Sequence, residues 1–384
     1  MIAVTVNVER IQRQLPAILS YGGRQEVLNV WTIAIMIAAF PVSWVFTGLV
    51  RRYALKHGIL DKPNERSSHS VVTPRGGGLT IAVVLLGGIG LMTALGTIPI
   101  KLAMAISGGG LLVAGVGWID DRRDLAPAPK LVVHILAALW ALYWSGGFPA
   151  LNLGVVRVSL HFSGLLLGVM GIVWSINLYN FMDGIDGLAG MEAVLVAAVG
   201  GTLAAVSGAL SLALVSWLLA LASAGFLVWN WPPAKIFMGD VGSGLLGFTF
   251  AVLALASENA GGPPLLVWVL LLNVFIVDAT ATLIRRISRG ERWYKAHRSH
   301  AYQLAVQAGY THHQVALVVI AADIGLMLLA GLALTWPDSM LGVVLGATAA
   351  LWSWHSLIQH RLGQAAGVYR VALKYAQAAR REFR

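Results

Sequence analysis

Residues 160–190 read LHFSGLLLGVMGIVWSINLYNFMDGIDGLAG, and this stretch decides the fold. From Leu160 to Asn180 it carries no Asp, Glu, Lys or Arg. That length matches the ~20 residues a helix needs to cross a bilayer core of ~30 Å. Its strongest polar groups come at the end, where Asn177, Asn180 and Asp183 follow at i, i+3, i+6 along one helix face. Two Asp-Gly steps then turn the chain. Asn and Asp at a helix end also serve as caps and turn formers, which is enough to explain Asp186. Two asparagines leading to Asp183 ask for more, and point to a spanning helix that delivers a polar face to the membrane surface.

The rest of the chain has the same character. Of 384 residues, 58% are hydrophobic and 11% charged, with a mean hydropathy of +0.75. A soluble domain carries roughly 25% charged residues, so this chain lacks the groups to cover a water-facing surface. Read for apolar runs, it is an all-α polytopic membrane protein with about eleven spans. They fall near 28–50, 76–96, 98–117, 130–147, 160–180, 187–207, 210–229, 242–258, 263–284, 312–335 and 338–359. Residues 1–27 form an N-terminal extension without the apolar core of a signal peptide. Residues 28–360 form the transmembrane domain and 361–384 a basic tail, read as lying on anionic lipid or as simply solvated.

Charge sets the orientation. With loop 51–75 placed in the cytoplasm, about 22 of the 27 Lys and Arg residues fall inside. This obeys the positive-inside rule, with the N-terminus outside and the C-terminus cytoplasmic. The net charge of +10 is thereby accounted for by topology, and no nucleic acid is expected. The absence of cysteine excludes disulfides and thiolate metal sites, leaving carboxylate, amide and imidazole for any metal. Such donors favour hard ions, magnesium first and manganese as the alternative.

The acids gather on that same cytoplasmic side, in loops 51–75, 118–130, 177–187, 230–242 and 285–311. Asp120 and Asp121 end the third span in GVGWIDDRRD, and adjacent carboxylates call for a cation or proton between them. An ordinary charged helix end is the bland alternative, and the other acids on the same face weigh against it. In NWPPAKIFMGDVGSG, Asp240 and Ser243 stand at a helix start among glycines, with Lys235 nearby, a setting suited to phosphate and its counter-ion. WYKAHRSHAY sets His297 and His300 at i, i+3 with Arg298 between them, for phosphate binding or proton transfer. In DKPNERSSHSVVTPRGGG, Arg66, His69 and Arg75 either bind phosphate or only obey the positive-inside rule. Asp278 lies within reach of this side, whereas Asp323 sits mid-span with no evident partner.

Together DKPNERSSHSVVTPRGGG, GWIDDRRD, NLYNFMDGIDGLAG, PPAKIFMGDVGSG and VDATATLIRR resemble the polyprenyl-phosphate N-acetylhexosamine-1-phosphate transferase family, which includes the peptidoglycan enzyme MraY. The resemblance covers about residues 28–310 closely and the last two spans by topology. The HRSHAYQ form is similar to the O-antigen-initiating WbpL branch, and of the family's usual His-x-His-His motif only His300 carries over. The resemblance implies a UDP-N-acetyl sugar donor, an undecaprenyl phosphate acceptor in the bilayer, magnesium on Asp240 and Asp120, and a homodimer. It also implies that Asp120 and Asp121 serve the lipid phosphate and catalysis, that Asn180 and Asp183 belong to the nucleotide-sugar site, and that His300 takes part. Joined to the reading of the residues above, the expected catalytic set is Asp120, Asp121, Asp183 and His300, and the expected substrate contacts are Asn177, Asn180, Lys235, Arg75, His69, His297 and Arg298. The competing class is a transporter or flippase, which would place its polar groups near the bilayer midplane and show paired repeats. A purely structural scaffold gives no reason for so many acids on one side.

Overall fold

The computed structural model describes residues 29–63, 71–291 and 297–382, with side chains through residue 362. The N-terminal extension, Arg66 and His69 lie outside the described residues. Apolar stretches with no water to satisfy their backbone form helices, because only a helix closes every N–H and C=O within itself. The helices run α1 Val30–His57, α2 Gly78–Ala94, α3 Ile100–Arg123, α4 Pro127–Ser145, α5 His161–Met182, α6 Leu188–Val206, α7 Leu210–Asn230, α8 Asp240–Asn259, α9 Leu265–Leu271, α10 Asn273–Ser288, α11 Ala301–Gln307, α12 His312–Thr335 and α13 Met340–Glu382. Two antiparallel two-residue ladders, β1 Leu60–Asp61 with β2 Thr73–Pro74 and β3 Leu151–Asn152 with β4 Arg157–Val158, tie off loops.

Among the described residues nine helices are long and apolar enough to span a membrane, and α2 is a shorter apolar helix of 17 residues. The remaining expected span, 263–284, is broken: α9 and α10 meet at 77°. Leu272 leaves helical geometry at the joint, and Asn273 beside it exchanges hydrogen bonds with Thr348 of α13 at 3.0 and 3.3 Å. A fully buried asparagine needs such a partner in lipid, and the bend supplies it.

Helix α8 is the most deeply buried span and the hub of the bundle, packing on α3 and α5. Small residues let these backbones close up, as lipid-embedded helices require. Ser175 of α5 donates to the Gly247 carbonyl of α8 at 2.7 Å. A Cβ on Gly117 of α3 would stand 2.7 Å from the Asp240 carbonyl, so only glycine lets α3 touch the start of α8. Antiparallel alternation then brings the ends of α3, α5, α7, α10 and α13 and the starts of α2, α4, α6, α8 and α12 to one face of the membrane domain.

Candidate functional site

At that face, the segment ahead of α2 pairs with the segment ahead of α8. Phe237 N donates to Pro74 O at 2.8 Å, Gly77 N to Phe237 O at 2.9 Å and Gly78 N to Met238 O at 2.8 Å. This pairing seats Arg75 beside Asp240. One guanidinium nitrogen of Arg75 lies 2.7 Å from Asp121 Oδ1 and 2.9 Å from Asp240 Oδ1. Burial works to lower the Arg75 pKa, but Asp121, Asp240, Asp61 and Asp183 together raise it, so the group is a permanent cation.

The adjacent acids Asp120 and Asp121 have different surroundings. Asp120 accepts Leu125 N at 2.7 Å and meets Lys130 Nζ at 2.5 Å, so both its oxygens are engaged. Asp121 Oδ1 accepts Asp240 N at 2.9 Å as well as Arg75, while its Oδ2 is buried without a hydrogen-bond partner. Gly239, at φ +78°, makes this approach: a Cβ there would lie 2.7 Å from Asp121 Oδ2. Asp120 and Asp240 interact side chain to side chain. Lys130 was not among the expected site residues; its signal in the sequence is a lone cation at the start of an otherwise apolar span.

Helix α5 contributes next. Asn180 Nδ2 lies 3.2 Å from Ser243 Oγ of α8, whereas Asn177 turns back onto its own helix at Val173 O, 2.7 Å. Asp183, just past the helix end, is pushed well above the usual carboxylate range by burial and then by Asp240, with Arg75 opposing and Asp121 adding to the rise. Asp186 is structural, in line with its reading as a turn former: it accepts Ala234 N at 3.0 Å and pairs with His312 at 3.2 Å. Lys235 lies over the Trp229 ring beside Arg51, with no ion pair to the carboxylates among the described residues.

The histidine loop closes the same face. His297 and His300 stack at 4.9 Å, His300 lies 6.0 Å from the Phe181 ring, and Tyr302 donates its hydroxyl to Phe181 O at 2.7 Å. The loop is thereby fastened to α5 two residues before Asp183. His297 is lowered to about 4 by burial, then by His300, Arg286 and Arg285, so it is neutral near pH 7 and bonds Ser299 Oγ at 2.9 Å. The Arg298 carbonyl accepts Gln307 Nε2 at 2.8 Å. Asp278 does join this region, through His300 at 3.3 Å. Asp323, unassigned in the sequence, meets Glu192 of α6 inside the bundle.

The residues suit a hard cation. Asp120 and Asp240 interact side chain to side chain, and Asp121 keeps an orphaned buried oxygen, so the donors at this point are the carboxylate oxygens such an ion prefers. With Arg75 lying between Asp121 and Asp240, no three acidic or imidazole side chains are arranged to chelate an ion among the described residues.

Comparison with known proteins bears on the family of the chain. The model of glycosyl transferase family 4 matches residues 103–258. The decaprenyl-phosphate N-acetylglucosaminephosphotransferase of Mycobacterium tuberculosis is 31% identical, over 78% of this chain and 82% of its own. The undecaprenyl-phosphate alpha-N-acetylglucosaminyl 1-phosphate transferase of Salmonella typhi is 31% identical over the same shares. A probable undecaprenyl-phosphate N-acetylglucosaminyl 1-phosphate transferase of Bacillus subtilis is 29% identical, over 74% and 81%.

Proposed function

The chain belongs to the polyprenyl-phosphate hexosamine-1-phosphate transferases of glycosyl transferase family 4, and from that membership we propose that it moves N-acetylglucosamine-1-phosphate from UDP-N-acetylglucosamine to undecaprenyl phosphate, releasing UMP. The observation that carries this reading is the convergence of Asp121, Asp183 and Asp240 around Arg75, with Asp120 against Asp240, at one end of the bundle. A transporter or flippase would gather its polar groups at the midplane instead. We place the site on the cytoplasmic face of a bacterial inner membrane, from the basic loops at that end, and the product at the start of an envelope polysaccharide of the O-antigen kind.

In this mechanism an oxygen of the lipid phosphate attacks the sugar-linked phosphorus of the donor. The new P–O–P bond forms as the bond to the uridine-bearing phosphate breaks, and UMP leaves with that oxygen. Arg75 offers the planar fork that suits phosphate oxygens. Asp120 is neutralised by Lys130 and held by Leu125 N, which leaves Asp121 Oδ2 as the carboxylate oxygen free to take a proton from the lipid phosphate. Asp183, its proton affinity raised by burial and by Asp240, favours the form that adds less negative charge near the pyrophosphate. Asp240 and Asp120 are the residues to hold magnesium, which when bound supplies neutralisation of the pyrophosphate charge. Attack is direct, because a phosphate is already a competent nucleophile.

Purified protein with undecaprenyl phosphate, magnesium and a panel of UDP-N-acetyl sugars tests the reading. The expected result is UMP release that depends on lipid and metal, is fastest with UDP-N-acetylglucosamine, and falls about 100-fold or more in Asp240→Asn. Folded protein that releases no UMP from any donor would sink the proposal in favour of a transporter.

A further inference from the structure

The last span, α13, reaches into the site through one carboxylate. Asp278 Oδ1 collects four donors: His300 Nδ1 at 3.3 Å, His355 Nε2 at 3.3 Å, Thr282 Oγ1 at 3.2 Å and Ala301 N at 3.0 Å. Its Oδ2 takes Tyr302 N at 3.4 Å. Asp278, His300 and His355 are all buried. A carboxylate only accepts, so each histidine nitrogen facing it carries the proton. His300 is thereby fixed as the Nδ1–H tautomer, with Nε2 left as the nitrogen able to meet substrate. One helical turn beyond His355, Gln359 donates to Ser299 O at 2.9 Å and bonds Arg285, which itself donates to Ser299 O at 2.8 Å. The residue just before His300 is thus held by α10 and α13 together.

We propose that His355 is a positioning residue for sugar-phosphate transfer: through Asp278 it fixes the tautomer and ring orientation of His300. This rests on the transferase reading of the site. Stacking on His297 and Phe181 sets the plane of the His300 ring, but stacking alone leaves a flip about the Cβ–Cγ bond open, which would exchange the nitrogen presented to substrate. The hydrogen bond to Asp278 closes that option, and His355 holds the Asp278 oxygen from the opposite helix. Behind metal-ligating histidines such supporting bonds cost about ten- to a hundredfold in affinity or activity when removed, which sets the scale expected here.

The test is a double-mutant cycle on the full-length protein, reading UMP release from UDP-N-acetylglucosamine and undecaprenyl phosphate. His355→Ala is expected to lower kcat about ten- to a hundredfold with KM for the donor nearly unchanged. His355→Gln, whose amide donates at similar reach, is expected to recover most of that loss. In a His300→Ala background, His355→Ala is expected to add almost nothing. An equal loss in both backgrounds, or a folded His355→Gln as impaired as His355→Ala, overturns the proposal. If His355→Ala does not fold, His355→Phe, which keeps the ring without the donor, takes its place in the same cycle: a loss that vanishes in the His300→Ala background supports the proposal, and an equal loss in both overturns it. If the wild-type protein releases no UMP, the transferase reading fails on its own. The 15N spectrum of labelled histidine then decides the positioning claim: a single Nδ1–H tautomer for His300 that becomes mixed in the His355 variant supports it, and an unchanged spectrum overturns it.

Discussion

Arg75 is the cation that lies between Asp121 and Asp240, and its removal leaves two carboxylates face to face. Arg75→Gln is expected to lower the apparent melting temperature and to cut UMP release more than tenfold, both read on the same detergent-purified sample. Asp183 behaves in the opposite way. Burial and Asp240 raise its carboxyl above the ordinary value, so the folded protein binds this proton more tightly than the unfolded chain does. Stability is therefore lost as pH rises above the ordinary value of 3.8, and that cost is present at neutral pH. Asp183→Asn is expected to melt a few degrees higher than wild type at pH 7.5, with the gain shrinking toward pH 4, while UMP release collapses. A melting temperature unchanged or lower at pH 7.5 contradicts this assignment. At this scale the acids and His300 were legible in the sequence, because each stands against an apolar background. Lys130 and His355 were not, since their roles exist only through partners that the fold supplies: Asp120 across a turn, Asp278 across two helices.

Between α3 and α8 the fit is set by glycine. Gly117 faces the Asp240 backbone, where a Cβ would come within 2.7 Å, while Gly115 on the same helix faces open space. Gly117→Ala is expected to displace Asp240 and lower both melting temperature and UMP release severalfold. Gly115→Ala is expected to leave activity intact and to add up to about 1 kcal/mol of helix stability. Thermal melts and turnover of the two variants side by side check the pair, and equal behaviour would remove the close-packing account. The elements were legible where each was a long apolar run, as in α5. The break at Leu272 was not, because no proline or glycine marks it. That joint is set by Asn273 meeting Thr348, a long-range pairing that no local pattern announces.

For the molecule as a whole, the absence of cysteine gives a direct check of orientation. Arg123 ends α3 at the site face, and Val155 sits in the β3–β4 loop at the other end, exposed. A cysteine introduced by Arg123→Cys is expected to react with an impermeant maleimide only after the membrane is opened, and one introduced by Val155→Cys in intact cells. The reverse pattern would put the site on the outside. Eleven apolar segments and a basic side were enough to foresee the bundle and the face on which its acids collect, because lipid leaves the backbone so few alternatives. Which oxygens stay free within that face is a matter of packing, and only the structure tells Asp121 from Asp120. The place of α13 also orders the making of the protein. The carboxylates around Arg75 can assemble once α8 has been inserted, but the histidine arm gains its outer brace only when His355 arrives, near the end of synthesis. A ribosome that stalls before that span leaves a chain with a full acidic centre and an unbraced His300. The order of the chain thus makes the brace behind His300 the last part of this face to be added.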